Sequence, residues 1–419
     1  MNPPKPRFHR QIRVHIALLC FAAVLISHCD RINISVAAPL IMRERGWTTA
    51  QMGWVFTSFF LGYTIFMVVS GYLSDRFGPK IVFGLSLSWW SLFTALTPLP
   101  NTVLGMAAVR SLLGIGESGT NPAVTSMLVK WFPPQEYSRA TSLVLSGSYA
   151  GPIIALPLAT AIATASGWHT VFYVFASLAV VWLPLWLFLS TDRPETNRFI
   201  KEAELNHILS SRPDMTGRLK VPWRKIVCLP AFWGVAILHL SANWLYYFLA
   251  TWLPTYLMAE RKFSLSATGF SSALPFLSAW VGVNLFGVLI DRCCLKQNRT
   301  HVRKYFVIPF LLTAVVLPWL SVVNSPIAIV SLLCFSMILL TSATPTINTG
   351  ALELAPRYSG TFMGIQNCFA NLAGVLVPVT TGYVAQSFGW NWMLWLLAGV
   401  IFVGGLTYIV LGKAQKLID

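Results

Sequence analysis

The chain has 419 residues, of which 55% are apolar and 11% are charged. Soluble domains average roughly 25% charged residues, so this composition excludes a soluble enzyme. The formal net charge of +16 would suggest nucleic-acid binding in a soluble protein, but between membrane spans basic residues set topology, and we assign no nucleic-acid role.

Apolar runs recur along most of the chain and are interrupted by short polar segments. About 20 apolar residues are enough to cross a bilayer core. On this criterion the sequence predicts twelve spans, at residues 14–39, 50–74, 78–98, 103–131, 138–166, 169–190, 226–258, 267–290, 305–323, 326–353, 359–388 and 391–412. Because the number is even, both termini are expected on the same side of the membrane.

The basic residues between the spans predict which side that is. Nearly all of them fall in the segments that would share a side with the N-terminus, and four fall on the other side, at Arg43, Arg45, Arg261 and Lys262. Lys and Arg accumulate in cytoplasmic loops, so the pattern predicts that both termini are cytoplasmic.

The longest polar stretch lies between predicted spans six and seven, at residues 191–225. It divides the chain into a predicted N-terminal six-helix bundle (1–190), a cytoplasmic linker (191–225) and a C-terminal six-helix bundle (226–419). The fold class that we predict is therefore an all-α integral membrane protein with twelve helices in two pseudo-symmetric bundles.

Two internal repeats support this division. The segment Gly71–Arg76 after span two is echoed by Gly287–Arg292 after span eight, and Ser166–Trp168 before span six is echoed by Phe388–Trp390 before span twelve. Transporters that rock two similar halves against each other have this arrangement, with the substrate near the midplane.

Several motifs resemble the major facilitator superfamily. The segment Gly71–Lys80 (GYLSDRFGPK) is similar to the signature between its second and third helices, with a departure at Pro79, where a basic residue is usual. Arg110–Glu117 (RSLLGIGE) and Gly147–Pro152 (GSYAGP) resemble its motifs in the fourth and fifth helices.

Within that superfamily the chain resembles the anion:cation symporters. The features that point to this group are Asp30–Asn33 (DRIN), the GIGE of span four, and Thr251–Leu257 (TWLPTYL). The group includes bacterial galactonate, hexuronate, glucarate and tartrate carriers and the vesicular glutamate and sialic acid carriers. The resemblance implies the major facilitator fold and transport of an organic anion.

Four charged side chains fall well inside predicted spans: Asp30, Arg31, Arg110 and Glu117. Each costs about 2.5–3.5 kcal/mol at the centre of a membrane helix, so all four must face partners or water. At about 1.5 Å of rise per residue, Asp30 and Arg110 share one layer of the bundle and Glu117 lies deeper.

We expect Asp30 and Glu117 to carry protons, with Arg110 holding Asp30 ionised until a proton or substrate competes. Burial disfavours a charged carboxyl and a nearby arginine favours it, so a small rearrangement can move a proton on or off. The resemblance implies the same, because the matching acids are the coupling sites of proton-driven relatives. The alternative is a fixed ion-pair lock that never titrates.

Arg31 is predicted to bind the anionic group of the substrate, because a guanidinium captures a carboxylate with two parallel hydrogen bonds. The resemblance also implies this role, and the alternative is that Arg31 only balances Glu117. For contacts to the rest of the substrate we favour Tyr63, Tyr247, Asn367 and Asn371, on helices where the resemblance places such contacts. Helix packing is the alternative for each of these four.

Asp75, Arg76 and Lys80 are predicted to gate the transporter. The resembling motif acts as a latch in which the acid contacts the neighbouring half while the cavity faces outward. The alternative is that these residues are simple topology charges.

The sequence thus predicts a secondary active transporter, not an enzyme: a proton-coupled symporter that carries a small organic anion, such as a sugar acid, by alternating access. We expect a monomer in a bacterial inner membrane, with the proton as coupling ion, no other cofactor and no metal. The leading alternative is a proton-driven exporter of drugs or amphipathic metabolites, for which competition by simple carboxylates would be absent. A non-transporting nutrient sensor is the third hypothesis.

Overall fold

The structure is a computed structural model, and it describes residues 11–210, 223–355 and 358–417. The described part of the chain is helical, and one short 3-10 turn, Pro194–Thr196, is the exception to regular α-helix among its elements. Up to residue 210 the helices are α1 (Ile12–Arg45), α2 (Thr49–Phe77), α3 (Pro79–Leu96), α4 (Val103–Glu117), α5 (Thr120–Trp131), α6 (Pro134–Leu145), α7 (Gly147–Ser166), α8 (Trp168–Leu189) and α9 (Glu202–Ser210).

From residue 223 onward the helices are α10 (Trp223–Val227), α11 (Pro230–Ala259), α12 (Leu265–Cys294), α13 (Arg299–Trp319), α14 (Pro326–Thr341), α15 (Thr344–Leu354), α16 (Ser359–Ser387) and α17 (Trp390–Leu411). Four of the described helices begin after a polar side chain that accepts a main-chain N–H of the first turn: Thr48 before α2, Thr102 before α4, Ser264 before α12 and Asn298 before α13. Such caps satisfy N–H groups that have no partner inside the helix.

Single glycines separate several successive helices. Gly78 between α2 and α3, Gly167 between α7 and α8, and Gly389 between α16 and α17 have φ angles of 90°, 81° and 89°. Residues with a Cβ rarely adopt this conformation, so glycine allows the chain to reverse within one residue. Gly167 and Gly389 hold matching places in the repeat found in the sequence, and they make the same turn.

Nine helical segments in the described residues are long and apolar enough to cross a membrane. Helices also occupy the other three predicted spans, as α3, as α4 with α5, and as α11. Among these three, α4 carries the charged side chains Arg110 and Glu117. The helical class is confirmed, whereas the count of twelve spans and the side of the termini stay predictions.

The chain divides into two compact units. The first unit comprises Met1–Ile34, Ser58–Ala155 and Ala165–Gly217, and the second comprises Ser35–Thr57, Leu156–Thr164 and Arg218–Asp419. Helices α1, α2 and α7 therefore contribute to both units. The bundle boundaries predicted at residues 190 and 226 stay a prediction.

In the first unit α3 packs against α4 and α8, and α9 is fixed to the start of α1. The Glu204 carboxylate of α9 accepts the main-chain N–H groups of Ile12 at 3.1 Å and Arg13 at 3.0 Å. A carboxylate at this position complements the positive end of the helix dipole. The Arg13 guanidinium also pairs with Glu136 of α6 at 3.3 Å. Because Glu204 lies in the predicted linker (191–225), part of that linker is bound to this unit.

In the second unit the first turns of α2 run antiparallel to the last turns of α16. Thr49 donates to the carbonyl of Gly382 at 3.0 Å, and Thr57 donates to the carbonyl of Val375 at 2.9 Å. A Cβ on Gly53 would lie 2.7 Å from the carbonyl oxygen of Pro378, so only glycine permits this separation of the helices. Small residues at regular spacing allow such close packing in membranes.

We predict that Gly53→Leu separates α2 from α16, because its side chain would overlap the main chain of α16. Cysteines introduced as Ala50→Cys and Gln386→Cys, after the seven native cysteines are replaced by alanine, report the distance. The yield with a short thiol crosslinker should fall several-fold in Gly53→Leu. Gly399→Leu is the control, since a Cβ there meets open space, and an unchanged yield in Gly53→Leu would contradict the packing.

Candidate functional site

The four charges that the sequence places inside predicted spans lie on two helices of the first unit. α1 carries Asp30 and Arg31, and α4 carries Arg110 and Glu117. Asp30 and Glu117 have no exposed surface, and Arg110 is 1% exposed. The structure therefore brings together all four charges that the sequence singled out.

Arg31 and Glu117 form a buried ion pair. Arg31 Nη2 lies 3.3 Å from Glu117 Oε2, and Nε donates to the same oxygen at 3.4 Å. The Ser27 hydroxyl, one turn before Arg31, donates to the other oxygen, Oε1. Both carboxylate oxygens of Glu117 thus accept hydrogen bonds from α1.

Aromatic rings of α2 lie beside the Arg31 guanidinium. Its Cζ atom is 5.1 Å from the centroid of the Phe59 ring and 4.9 Å from that of Tyr63. Such cation–π contacts are worth about 0.5–2 kcal/mol, more where water is excluded. The Tyr63 hydroxyl accepts a hydrogen bond from Asn121 at 2.9 Å, which fixes the ring. Tyr63 is therefore next to Arg31, and the role of both as substrate contacts stays a prediction.

Arg110 lies beside Asp30, but its contacts differ from those expected. The guanidinium donates to the main-chain carbonyls of Asp30 at 3.5 Å and Arg31 at 3.4 Å. Its Cζ atom is also 5.1 Å from the Phe59 ring centroid. The Asp30 side chain itself contacts α3, and the role of Arg110 in holding Asp30 ionised stays a prediction.

The Asp30 carboxyl instead meets Trp90 of α3. The indole Nε1 donates to Oδ2 at 3.2 Å. The second oxygen, Oδ1, is buried and has no hydrogen-bond partner among the residues that the structure describes. Among the described residues, the hydrogen bond to this carboxyl therefore comes from an uncharged donor, with the Arg110 guanidinium nearby at the Asp30 main chain.

Close approach of α2 and α4 creates this arrangement. A Cβ on Gly114 would overlap the main-chain oxygen of Phe59, and one on Gly62 would overlap that of Ser111. The two helices can therefore touch along their backbones. This contact sets the Phe59 ring within reach of both Arg31 and Arg110.

In the second unit the predicted substrate residues Tyr247 and Asn371 are in contact. The Tyr247 hydroxyl on α11 donates to Asn371 Oδ1 on α16 at 2.8 Å. One turn earlier on α11, Asn243 donates to the carbonyl of Ala370 at 3.2 Å. Asn367 is half-buried on α16, one turn before Asn371.

The predicted gating residues lie where α2 meets α3 in the first unit. Asp75 and Arg76 are exposed, and Arg76 donates to the Tyr72 hydroxyl of its own helix at 3.1 Å. Lys80 Nζ donates to the carbonyl of Leu187 at 2.9 Å, while its main-chain N–H donates to Asp192 at 2.8 Å. Lys80 thus joins α3 to the end of α8, and the latch role of all three stays a prediction.

Sequence reasoning missed three residues of the charged cluster: Ser27, Phe59 and Trp90. Ser27 had a usable signal, because it lies four residues before Arg31 and therefore shares its helix face. Phe59 and Trp90 had none, since the chain contains 27 phenylalanines and 17 tryptophans.

Comparison with known proteins identifies the family. The profile of the Major Facilitator Superfamily matches residues 20–378. The chain belongs to this superfamily. It is 33% identical over 409 residues to a protein named "Ascorbate transporter, chloroplastic" from Arabidopsis thaliana, covering 96% of this chain and 75% of that protein.

A second relative is bacterial. The protein named "Probable sulfoacetate transporter SauU" from Cupriavidus necator is 31% identical over 397 residues, covering 91% of this chain and 90% of its own. The resemblance to anion carriers is therefore confirmed, and so is the prediction of a transport protein rather than an enzyme.

Solved structures share the fold. A bacterial homolog of the human lysosomal transporter Spinster, solved in an inward-facing and occupied conformation, superposes with a TM-score of 0.81 at 15% identity, covering 97% of each chain. At this identity the match establishes the fold alone.

We predict that Glu117→Gln destabilises the protein in the absence of substrate. Removing one member of a buried pair leaves the other charge without compensation. Because Arg31 keeps some access to water, we expect the free energy of unfolding to fall by about 2 kcal/mol. The thermal unfolding midpoint in detergent at neutral pH should fall by several degrees. Asp291→Asn, at an exposed carboxylate, is the control and should leave the midpoint in place. Equal midpoints for the two variants would contradict a stabilising pair.

Proposed function

We propose that this chain is a proton-coupled symporter that carries a small organic anion, such as a sugar acid, by alternating access. The proposed setting is a bacterial inner membrane, and the proton is the only coupling group required. Relatives named for ascorbate and sulfoacetate transport support an anionic substrate.

The observation that carries the proposal is the buried pair between Arg31 and Glu117. Arg31 is the guanidinium best placed to bind a carboxylate, because Arg110 is turned to main-chain carbonyls. A substrate anion that binds Arg31 has to share or displace Glu117. Two carboxylates on one buried guanidinium would leave an uncompensated negative charge, which is costly in an apolar bundle.

A proton on Glu117 removes this conflict. The neutral acid no longer competes for the Arg31 guanidinium, which can then form its two parallel bonds with the substrate. Anion and proton therefore enter the bundle together, and the total charge of the cluster stays nearly constant. This charge balance is the physical basis that we propose for symport.

Asp30 is the second proposed proton carrier. It is fully buried, and in the described part of the chain its carboxyl accepts a hydrogen bond from the indole N–H of Trp90. Burial disfavours a charged carboxyl, whereas a hydrogen-bond donor and a nearby guanidinium favour it, so a change in these surroundings can load or release a proton. We propose that the surroundings of Asp30 differ between the outward-facing and inward-facing states, so that Asp30 takes up a proton on one side of the membrane and releases it on the other.

The remaining predicted contacts complete the proposal. Tyr63 would lie against the substrate beside Arg31, and Tyr247, Asn367 and Asn371 would bind its non-ionic groups. Asp75, Arg76 and Lys80 would act as the latch between conformations. A ligand drives such a switch only as far as it binds the two states differently.

We predict that Arg31→Lys weakens anion binding by about tenfold or more, because an ammonium lacks the planar fork that binds both carboxylate oxygens. The measurement is the thermal shift of purified protein with D-galactonate, sulfoacetate, ascorbate and inorganic phosphate. Arg43→Lys at the exposed end of α1 is the control and should bind like the parent protein. Near-normal affinity in Arg31→Lys would remove Arg31 from the site.

We predict that Asp30→Asn abolishes accumulation driven by a proton gradient but keeps exchange of substrate for substrate, because the amide cannot take a proton. Proteoliposomes loaded with the anion identified above, with and without an acid outer medium, separate the two activities. The parent protein should accumulate the anion when the outside is acid. Gradient-driven uptake by Asp30→Asn equal to that of the parent would contradict its role.

A further inference from the structure

The described residues place an uncharged hydrogen-bond donor against the proposed proton carrier on α1. We propose that Trp90 is a positioning residue whose indole N–H, donated to Asp30 Oδ2, sets the pH range over which transport operates. This inference rests on the proposed function, because it concerns how Asp30 exchanges its proton.

The contact is fully enclosed in the first unit. Trp90 has no exposed surface, and neither has Asp30. The indole Nε1 lies 3.2 Å from Oδ2, whereas Oδ1 accepts nothing from the described residues. The indole thus supplies the side-chain hydrogen bond that this carboxyl accepts in the described part of the chain.

The charged groups around Asp30 are engaged elsewhere. On α4, Glu117 pairs with Arg31, and Arg110 donates to main-chain carbonyls. On α1, the His28 ring bonds to the carbonyl of Val24 at 2.9 Å. These groups act on Asp30 through space, and Trp90 acts through a direct bond.

The indole is suited to this role because its hydrogen-bonding state stays the same throughout the transport cycle. Its N–H is a donor that can neither accept nor release a proton in the physiological range, so it does not change state during the cycle. A donor bonds more strongly to an ionised carboxylate than to a neutral acid, and it therefore favours release of the proton. Without it, Asp30 would keep its proton to higher pH.

The test is the pH profile of uptake by Trp90→Phe, which removes the N–H and keeps an aromatic ring. Uptake of the anion identified by thermal shift is measured in proteoliposomes over a range of outside pH. We expect the pH of half-maximal uptake to move by about one unit toward alkaline values, a tenfold change in the proton equilibrium.

Trp182→Phe is the matched control. The Trp182 indole is also buried in the first unit, 3% exposed, and its N–H donates to the carbonyl of Leu19 at 2.9 Å. This variant loses an equivalent ring and hydrogen bond without contact to Asp30, and its profile should stay in place. In an Asp30→Asn background, where exchange of substrate for substrate is the remaining activity, Trp90→Phe should not change the pH dependence of that exchange.

The possible results separate the two proposals. If parent uptake does not depend on outside pH, the proposed function fails. If parent uptake depends on pH but Trp90→Phe and Trp182→Phe have the same profile, the role of Trp90 is overturned and proton coupling stands. If Trp90→Phe does not fold, 3-benzothienylalanine introduced at position 90 keeps the double ring without the N–H, and the same shift is required.

Discussion

The ion pair between Arg31 and Glu117 is the interaction on which the charged cluster depends. Neither charge would be stable alone in an apolar bundle, where each costs several kcal/mol without a partner. The pair meets this constraint, and Ser27 and the rings of Phe59 and Tyr63 complete the shell around it. In the proposed function the same constraint couples the two ligands, because an anion that binds Arg31 requires Glu117 to take up a proton.

Helix packing gives this chemistry its geometry. Gly62 and Gly114 bring α2 against α4, which places one ring, Phe59, near both guanidinium groups. In the second unit, Gly53 lets α2 meet α16 just as closely. α2 therefore makes backbone contacts at both of its halves, so a shift of this helix would alter the surroundings of Arg31.

Much of the fold and part of the site could be predicted from the sequence. Apolar run lengths located the helices, and the repeat containing Gly167 and Gly389 matched two identical turns in the structure. The four intramembrane charges stood out because the bilayer makes them expensive. The partners of these charges were harder to predict, because residue spacing gives the depth of a side chain along its helix but not the rotation of neighbouring helices. Spacing correctly placed Arg110 in the same layer as Asp30, but it could not show that Arg110 contacts main-chain oxygens. Nothing in the sequence indicated the contact between Trp90 and Asp30.

The most direct test of this account is a count of protons on anion binding. Purified protein in weakly buffered detergent solution is mixed at neutral pH with the anion identified by thermal shift, and a pH-sensitive dye records the medium. If the anion displaces Glu117 from Arg31, the protein takes up protons and the medium becomes alkaline, and Glu117→Gln gives a smaller change or none. Binding with no change of pH in the parent protein would contradict the account.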